Sequence, residues 1–258
     1  MSEAAAAPVA PTALPAPPAG STRQDFVRVY VWQIPVRVTH WLIAGAIVVQ
    51  SVTGFYIGRP FMAVPGPAGQ SFVMGWMKII HFYAAYVFIT AVLVRVIWMF
   101  TGNKYARWDK FLPAYRTRQK GMLPTALFYS FLRKDPPGYV GHNPLAGSAY
   151  ALVFGLYFLA ILTGLVMRGA SASSGSVVHW FASFAPLLGG LQGARWIHHV
   201  VMWLLLGFAV HHVYSAILLA HIEKAGLMDS IFTGYKWVHP RELGPGPYRW
   251  KHRDEVDE

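Results

Sequence analysis

Long apolar stretches separated by polar, mostly basic segments make up most of this chain. Four of them, at about residues 36–58, 72–100, 145–168 and 194–222, reach the roughly 20 mainly apolar residues that a helix needs to cross a hydrocarbon core of about 30 Å. The pattern predicts an all-α integral membrane protein, a four-transmembrane-helix bundle. The second stretch is the longest and carries Lys78 and Arg95 near opposite ends. Their stems can reach toward the headgroups, so this span is expected to tilt or to project beyond the bilayer. A further apolar piece, GSVVHWFASFAPLLGG at 175–190, is short and broken by Pro186, so an interfacial or re-entrant segment is expected there. Residues 121–134, GMLPTALFYSFLRK, have the pattern of a short amphipathic helix that lies on the membrane or meets a partner.

The two ends read differently. The opening MSEAAAAPVAPTALPAPPAGST is rich in Ala and Pro and has neither a basic leader region nor an unbroken apolar core, which argues against a cleavable signal peptide. The expected organisation is a disordered tail over 1–25, one membrane domain over 26–238 and a polar tail over 239–258.

Composition sharpens this picture. Of the residues, 55% are hydrophobic and 13% charged, an unusual balance for a water-facing surface. The acidic residues sit at Glu3, Asp25, Asp109, Asp135, Glu223 and beyond, so none falls within the apolar runs between Asp25 and Asp109 or between Asp135 and Glu223. The net charge of +11 does not point to nucleic acid, because the basic residues flank the apolar runs instead of interleaving with exposed aromatics. They report orientation instead. Lys104, Arg107, Lys110, Arg116, Arg118, Lys120, Arg133 and Lys134 crowd the 101–143 loop, whereas 59–71 holds only Arg59 and 169–194 holds no Lys, Arg, Asp or Glu. Basic loops stay on the cytoplasmic side, so both termini are expected there. Cysteine is absent, which excludes disulfides, thiolate iron–sulfur ligation and cysteine nucleophiles, and leaves His or Met to hold any metal.

Ionisable groups inside a membrane span are costly and signal function. His40, His81, His198, His199, His211, His212 and His221 all lie in or near the spans. Taken singly, each is readable as a packed histidine bonded to a backbone carbonyl; helical phase separates them. His198 and His212, 14 residues apart, fall about 40° from each other on a helix and about 21 Å apart along it, so they share a face at two depths. The pairs His198/His211 and His199/His212 lie about 140° apart, which leaves His199 and His211 as structural residues. Depth then matches His81 with His198 toward the outside and His40 with His212 toward the cytoplasm. Such pairs suit two b-type haems with two imidazoles on each iron, sites that transfer electrons and leave no position open for substrate. Small residues in Thr53-Gly54 and Thr163-Gly164 are candidates to give a porphyrin clearance, with Gly54 and Gly164 as cofactor-contacting positions. Arg37, Lys78, Arg95 and Arg168 are candidates for the propionates or, equally, interfacial anchors. His142, in the Gly141-His-Asn-Pro144 turn, is expected to shape the start of the third span.

Two signatures carry a family resemblance: Arg37-Val-Thr-His-Trp41 followed by Val52-Thr-Gly54, and Arg195-Trp-Ile-His-His-Val-Val-Met-Trp203 running on through Phe208 to His212. With Tyr139-Val-Gly-His-Asn-Pro-Leu145 and Thr233-Gly-Tyr-Lys236, the chain resembles the b-type cytochrome subunit of membrane-bound nickel–iron hydrogenases over about residues 28–238. Trp196 departs from the small residue usual in that family. The resemblance implies a multi-pass protein of the bacterial inner membrane that anchors hydrogenase small and large subunits on the outer face. It would take electrons from an iron–sulfur cluster and pass them through two haem b groups to quinone, with no hydrogen-splitting site of its own. Carried over residue by residue, the family's haem-iron ligands fall on His40, His81, His198 and His212. The related cytochrome subunit of formate dehydrogenase is one alternative. Another is a haem-free anchor or transporter whose histidines relay protons or bind metal ions, although the sequence shows no convincing repeat of the kind alternating access favours.

Overall fold

The computed structural model describes residues 26–61, 72–112, 116–134 and 139–238. Strand β1 (Val27–Tyr30) leads into helix α1 (Ile34–Gly58), followed by α2 (Val73–Thr101), a short 3-10 turn at Trp108–Lys110, and α3 (Arg116–Tyr129). Then come α4 (Pro144–Ala170), a single turn α5 (Val177–Trp180) continuing as a 3-10 segment (Phe181–Leu188), the long α6 (Gly190–Glu223), α7 (Leu227–Thr233) and strand β2 (Tyr235–Val238). Four of these helices, α1, α2, α4 and α6, have 25, 29, 27 and 34 residues and are apolar enough to cross a membrane. At about 1.5 Å per residue they are about 37 to 51 Å long, so each exceeds the hydrocarbon thickness.

Local chemistry sets the helix ends. Pro35 occupies the first turn of α1, where a missing N–H costs nothing. Asn143 caps α4 by accepting from the Ala146 N–H at 2.7 Å, with Pro144 just inside. Gly189 and Gly190, both at positive φ, stop the 3-10 segment and let α6 begin at once. The segment expected to be interfacial or re-entrant is this α5 and 3-10 stretch, too short to span, packed on α4 and α6. The amphipathic stretch expected at 121–134 is helical as far as Tyr129, within an α3 that starts at Arg116 and rests on α4 through its buried Thr125 and Phe128.

Helix α1 packs chiefly on α2, and α4 chiefly on α6. The two pairs meet through a central apolar layer of Ile43 and Ala46, Phe88, Ala91 and Val92, Val153 and Tyr157, and Val201 and Leu205, with Phe88 and Tyr157 edge to face. The outward faces are apolar too: Val48, Trp203 and Val210 are 61%, 61% and 73% exposed, the surface a bilayer requires.

A compact cap closes the end of the bundle that carries residues 26 and 238. Strands β1 and β2 pair antiparallel, Val27 opposite Val238 and Tyr30 opposite Tyr235. Below them Val31, Trp32, Val36, Ala106, Val140 and Val238 form a second core. Trp32 donates to the Ser230 hydroxyl, and the Gln33 side chain accepts from both the Trp98 indole and the Asn103 N–H. A buried ion pair, Lys236 Nζ to Glu223 Oε2 at 2.8 Å, ties β2 to the last turn of α6.

Candidate functional site

The structure brings the seven membrane histidines to different fates. His81 on α2 and His198 on α6 face each other at the far end, their ring centroids 6.4 Å apart and their planes at 58°. His40 on α1 and His212 on α6 face each other near the cap, with centroids 6.2 Å apart and planes again at 58°. The central apolar layer lies between the two pairs. His199 is turned back on its own helix, Nδ1 donating to the Arg195 carbonyl at 2.8 Å, and His211 is exposed, with Nε2 3.4 Å from the Ser215 hydroxyl one turn on. His221 is exposed as well.

These separations have a chemical meaning. An imidazole nitrogen binds a first-row metal at about 2.0–2.1 Å and lies about 1.1 Å from its ring centroid, so two rings trans on one metal put centroids about 6.2–6.4 Å apart. Both pairs match that spacing. Among the described residues no group of three or more His, Asp or Glu converges as a metal cluster; the four histidines approach one another in twos. A donor set of two neutral imidazoles in an apolar bundle fits a haem iron.

The neighbours of the rings differ between the two ends. At the far end, Thr53 Oγ1 lies 2.9 Å from His81 Nδ1, and Thr163 Oγ1 lies 2.8 Å from His198 Nδ1. Each hydroxyl has one proton, and it goes to the carbonyl four residues back: Thr53 to Val49 at 2.7 Å, Thr163 to Leu159 at 2.7 Å. The oxygen is therefore left to accept, which places the imidazole proton on Nδ1 and keeps the Nε2 lone pair for a metal. The glycine after each threonine lies against the same ring: a Cβ on Gly54 would sit 3.5 Å from His81 Cε1, and one on Gly164 3.4 Å from His198 Cε1, both ordinary van der Waals contacts.

Near the cap, the Tyr150 hydroxyl is 3.2 Å from His212 Nδ1, Phe208 stacks on the His212 ring at 5.5 Å and 13°, and Trp41 meets His40 edge-on at 5.0 Å. His40 Nδ1 is buried with no hydrogen-bond partner among the described residues. The four cations considered as propionate partners spread out. Arg37 Nη1 donates to the Phe232 carbonyl, Arg95 is buried against the Ala106 carbonyl and over the Phe111 ring, Arg168 lies over the ring of Phe82, and Lys78 is exposed. His142 packs among Trp32, Phe111 and Tyr150 just before the cap of α4.

Sequence reasoning missed Thr53, Thr163 and Tyr150 as partners of the ligand candidates. One signal was present: the ring-to-threonine spacing recurs, His40 to Thr53 and Tyr150 to Thr163, 13 residues in each case. The structure shows what the recurrence means. Thr-Gly on α1 supports a histidine on α2, and Thr-Gly on α4 supports a histidine on α6, the same arrangement built twice.

Residues 31–234 match the family described as prokaryotic cytochrome b561. This chain belongs to that family. A protein of Cupriavidus necator described as a probable Ni/Fe-hydrogenase B-type cytochrome subunit is 38% identical over 213 residues, 80% of this chain and 86% of its own length. A probable Ni/Fe-hydrogenase B-type cytochrome subunit of Rhizobium leguminosarum bv. viciae is 35% identical over 221 residues, covering 83% and 91%. The probable Ni/Fe-hydrogenase 1 B-type cytochrome subunit of Escherichia coli K12 is 32% identical over 218 residues, covering 80% and 90%. Membership in a cytochrome b family, with four apolar helices, makes the chain a haem b protein of electron transport and a multi-pass protein of the bacterial inner membrane.

Proposed function

We propose that this prokaryotic cytochrome b561 carries two haem b groups, anchors a periplasm-facing nickel–iron hydrogenase, and passes electrons from that enzyme's iron–sulfur small subunit to the membrane quinone pool. The observation that carries the reading is the pair of facing imidazole sets at the two ends of one bundle. His81 and His198 hold the outer iron, and His40 and His212 hold the inner one. Two imidazoles from this chain at each site would occupy the positions a substrate needs, and a haem held there would supply one-electron transfer. The residues between them exclude water and fix the separation: His198 and His212 are about 21 Å apart along α6, with Phe88, Tyr157 and Leu205 in the layer between.

Orientation in this reading follows the basic 101–143 loop, which puts the cap, both tails and the inner site on the cytoplasmic side. Residues 26–238 then form the membrane domain. The hydrogenase partner is supported by the names of the relatives, which cover most of this chain at 32–38% identity.

Haem content and variants test it together. The purified protein is expected to hold two haems per chain with a bis-histidine low-spin spectrum. His198→Ala or His81→Ala should remove one haem and stop electron delivery to quinone, whereas His199→Ala should keep both. One haem per chain in the unaltered protein, or loss of a haem in His199→Ala but not in His198→Ala, would overturn the ligand assignment. Affinity purification that recovers a formate dehydrogenase instead of a hydrogenase would overturn the partner.

A further inference from the structure

The two histidine pairs have unequal support at Nδ1. At the far end both rings donate to a threonine oxygen, at 2.9 and 2.8 Å. Near the cap one ring has the longer 3.2 Å contact to Tyr150, and the other has no partner among the described residues. An imidazole that donates from Nδ1 becomes a more basic ligand through Nε2. A more basic ligand favours the ferric over the ferrous state, and so lowers the reduction potential.

We propose that Thr53 and Thr163 are positioning residues that hold the haem at His81/His198 at a lower potential than the haem at His40/His212, so that the molecule has a built-in downhill step from the far end toward the cap. One electron at a time leaves the far site, oxidising it, and reduces the near site; no bond forms or breaks and no proton is required. Geometry makes the threonines suited to this. Each hydroxyl donates to its own helix at 2.7 Å, which leaves its oxygen to accept from the ring. The direction agrees with electrons entering at the far end, and the inference rests on the two-haem reading above.

A potentiometric titration of the purified, haem-loaded full-length protein tests it, with haem content measured on the same sample. Two waves are expected. Thr53→Val with Thr163→Val keeps the side-chain shape and removes both oxygens that accept from Nδ1. The lower wave should then rise by about a tenfold change in its ferric-to-ferrous ratio, or about 59 mV for one electron, while the higher wave stays in place. Thr53→Ser with Thr163→Ser restores the oxygen and should titrate as the unaltered protein does. If the valine variant loses haem, the serine variant still decides: a rise of about 59 mV in its lower wave with the hydroxyls present removes the hydroxyl as the cause. The proposal is overturned if two haems are bound and the lower wave does not move, or if the higher wave moves instead. An unaltered protein with fewer than two haems sinks the two-haem reading itself, a separate outcome.

Discussion

The buried ion pair in the cap makes a quantitative demand. Glu223 and Lys236 approach to 2.8 Å with side chains only 4% and 5% exposed, and Lys236 also donates to the Tyr139 carbonyl at 3.2 Å. Removing one member strands a charge in a dry site, which costs about 3–5 kcal/mol, whereas an exposed pair is worth at most about 1 kcal/mol. For a domain of this size each kcal/mol moves the melting temperature by about 2–4 °C, so Glu223→Leu or Lys236→Met should lower it by about 6–20 °C. The double variant leaves no charge unpaired and should recover at least half of that loss. The damage should also be local. Lys236 lies opposite Val29 in the two-stranded sheet, and β1 runs directly into α1 and His40. In stepwise heating followed by reduced-minus-oxidised spectroscopy, the haem at His40/His212 should be lost before the one at His81/His198. Single variants that melt within about 1 °C of the unaltered protein, or a double variant as unstable as the sum of the singles, would refute the reasoning.

Two further perturbations have defined outcomes. A leucine at Gly164 adds three carbons beyond a Cβ that would already stand 3.4 Å from the His198 ring; overpacking of this kind costs about 1–3 kcal/mol, and the far-end haem should be lost while the near one is kept, as haem content per chain will show. Asn143→Ala removes the acceptor for the Ala146 N–H and a donor to the Tyr129 hydroxyl, and should destabilise the protein by about 1–2 kcal/mol in thermal melts without changing haem content.

The membrane helices were legible because the bilayer imposes a length that few other structures need. The expected spans and α1, α2, α4 and α6 agree to within four residues at every end, the largest gap being at α6, which begins at Gly190 and not at 194. Helical phase and depth likewise selected the four histidines that the structure places face to face. What stayed hidden is nonlocal. Strands β1 and β2 have four residues each and lie at opposite ends of the chain, so neither shows an alternation long enough to read, and their pairing depends on the bundle returning Tyr235 to Tyr30. Thr53 and Thr163 were legible only as members of small-residue pairs with room for a porphyrin, because their contact with the histidines depends on which helix each faces. Once α1 is known to lie on α2 and α4 on α6, each Thr-Gly becomes the support of a histidine on the neighbouring helix.

The doubled arrangement also explains why the two ends differ. His81 and His198 stand at corresponding places in the two helix pairs, and 14 residues beyond them come Arg95 and His212. Thirteen residues before the two threonines come His40 and Tyr150. Corresponding positions near the cap therefore hold unlike residues: histidine faces histidine only between α1 and α6, while Tyr150 serves His212 and Arg95 is spent on the Ala106 carbonyl. The far pair is symmetric in its supports and the near pair is not, so under the proposed two-haem reading the sites differ through these side chains alone. Each site nonetheless draws one imidazole from the α1/α2 pair and one from the α4/α6 pair. An iron bound at either end spans the boundary between halves that otherwise meet mainly in the central apolar layer, and whatever binds only the assembled form stabilises that assembly. If the four histidines hold iron as proposed, the electron path and the clamp across the two halves are the same residues.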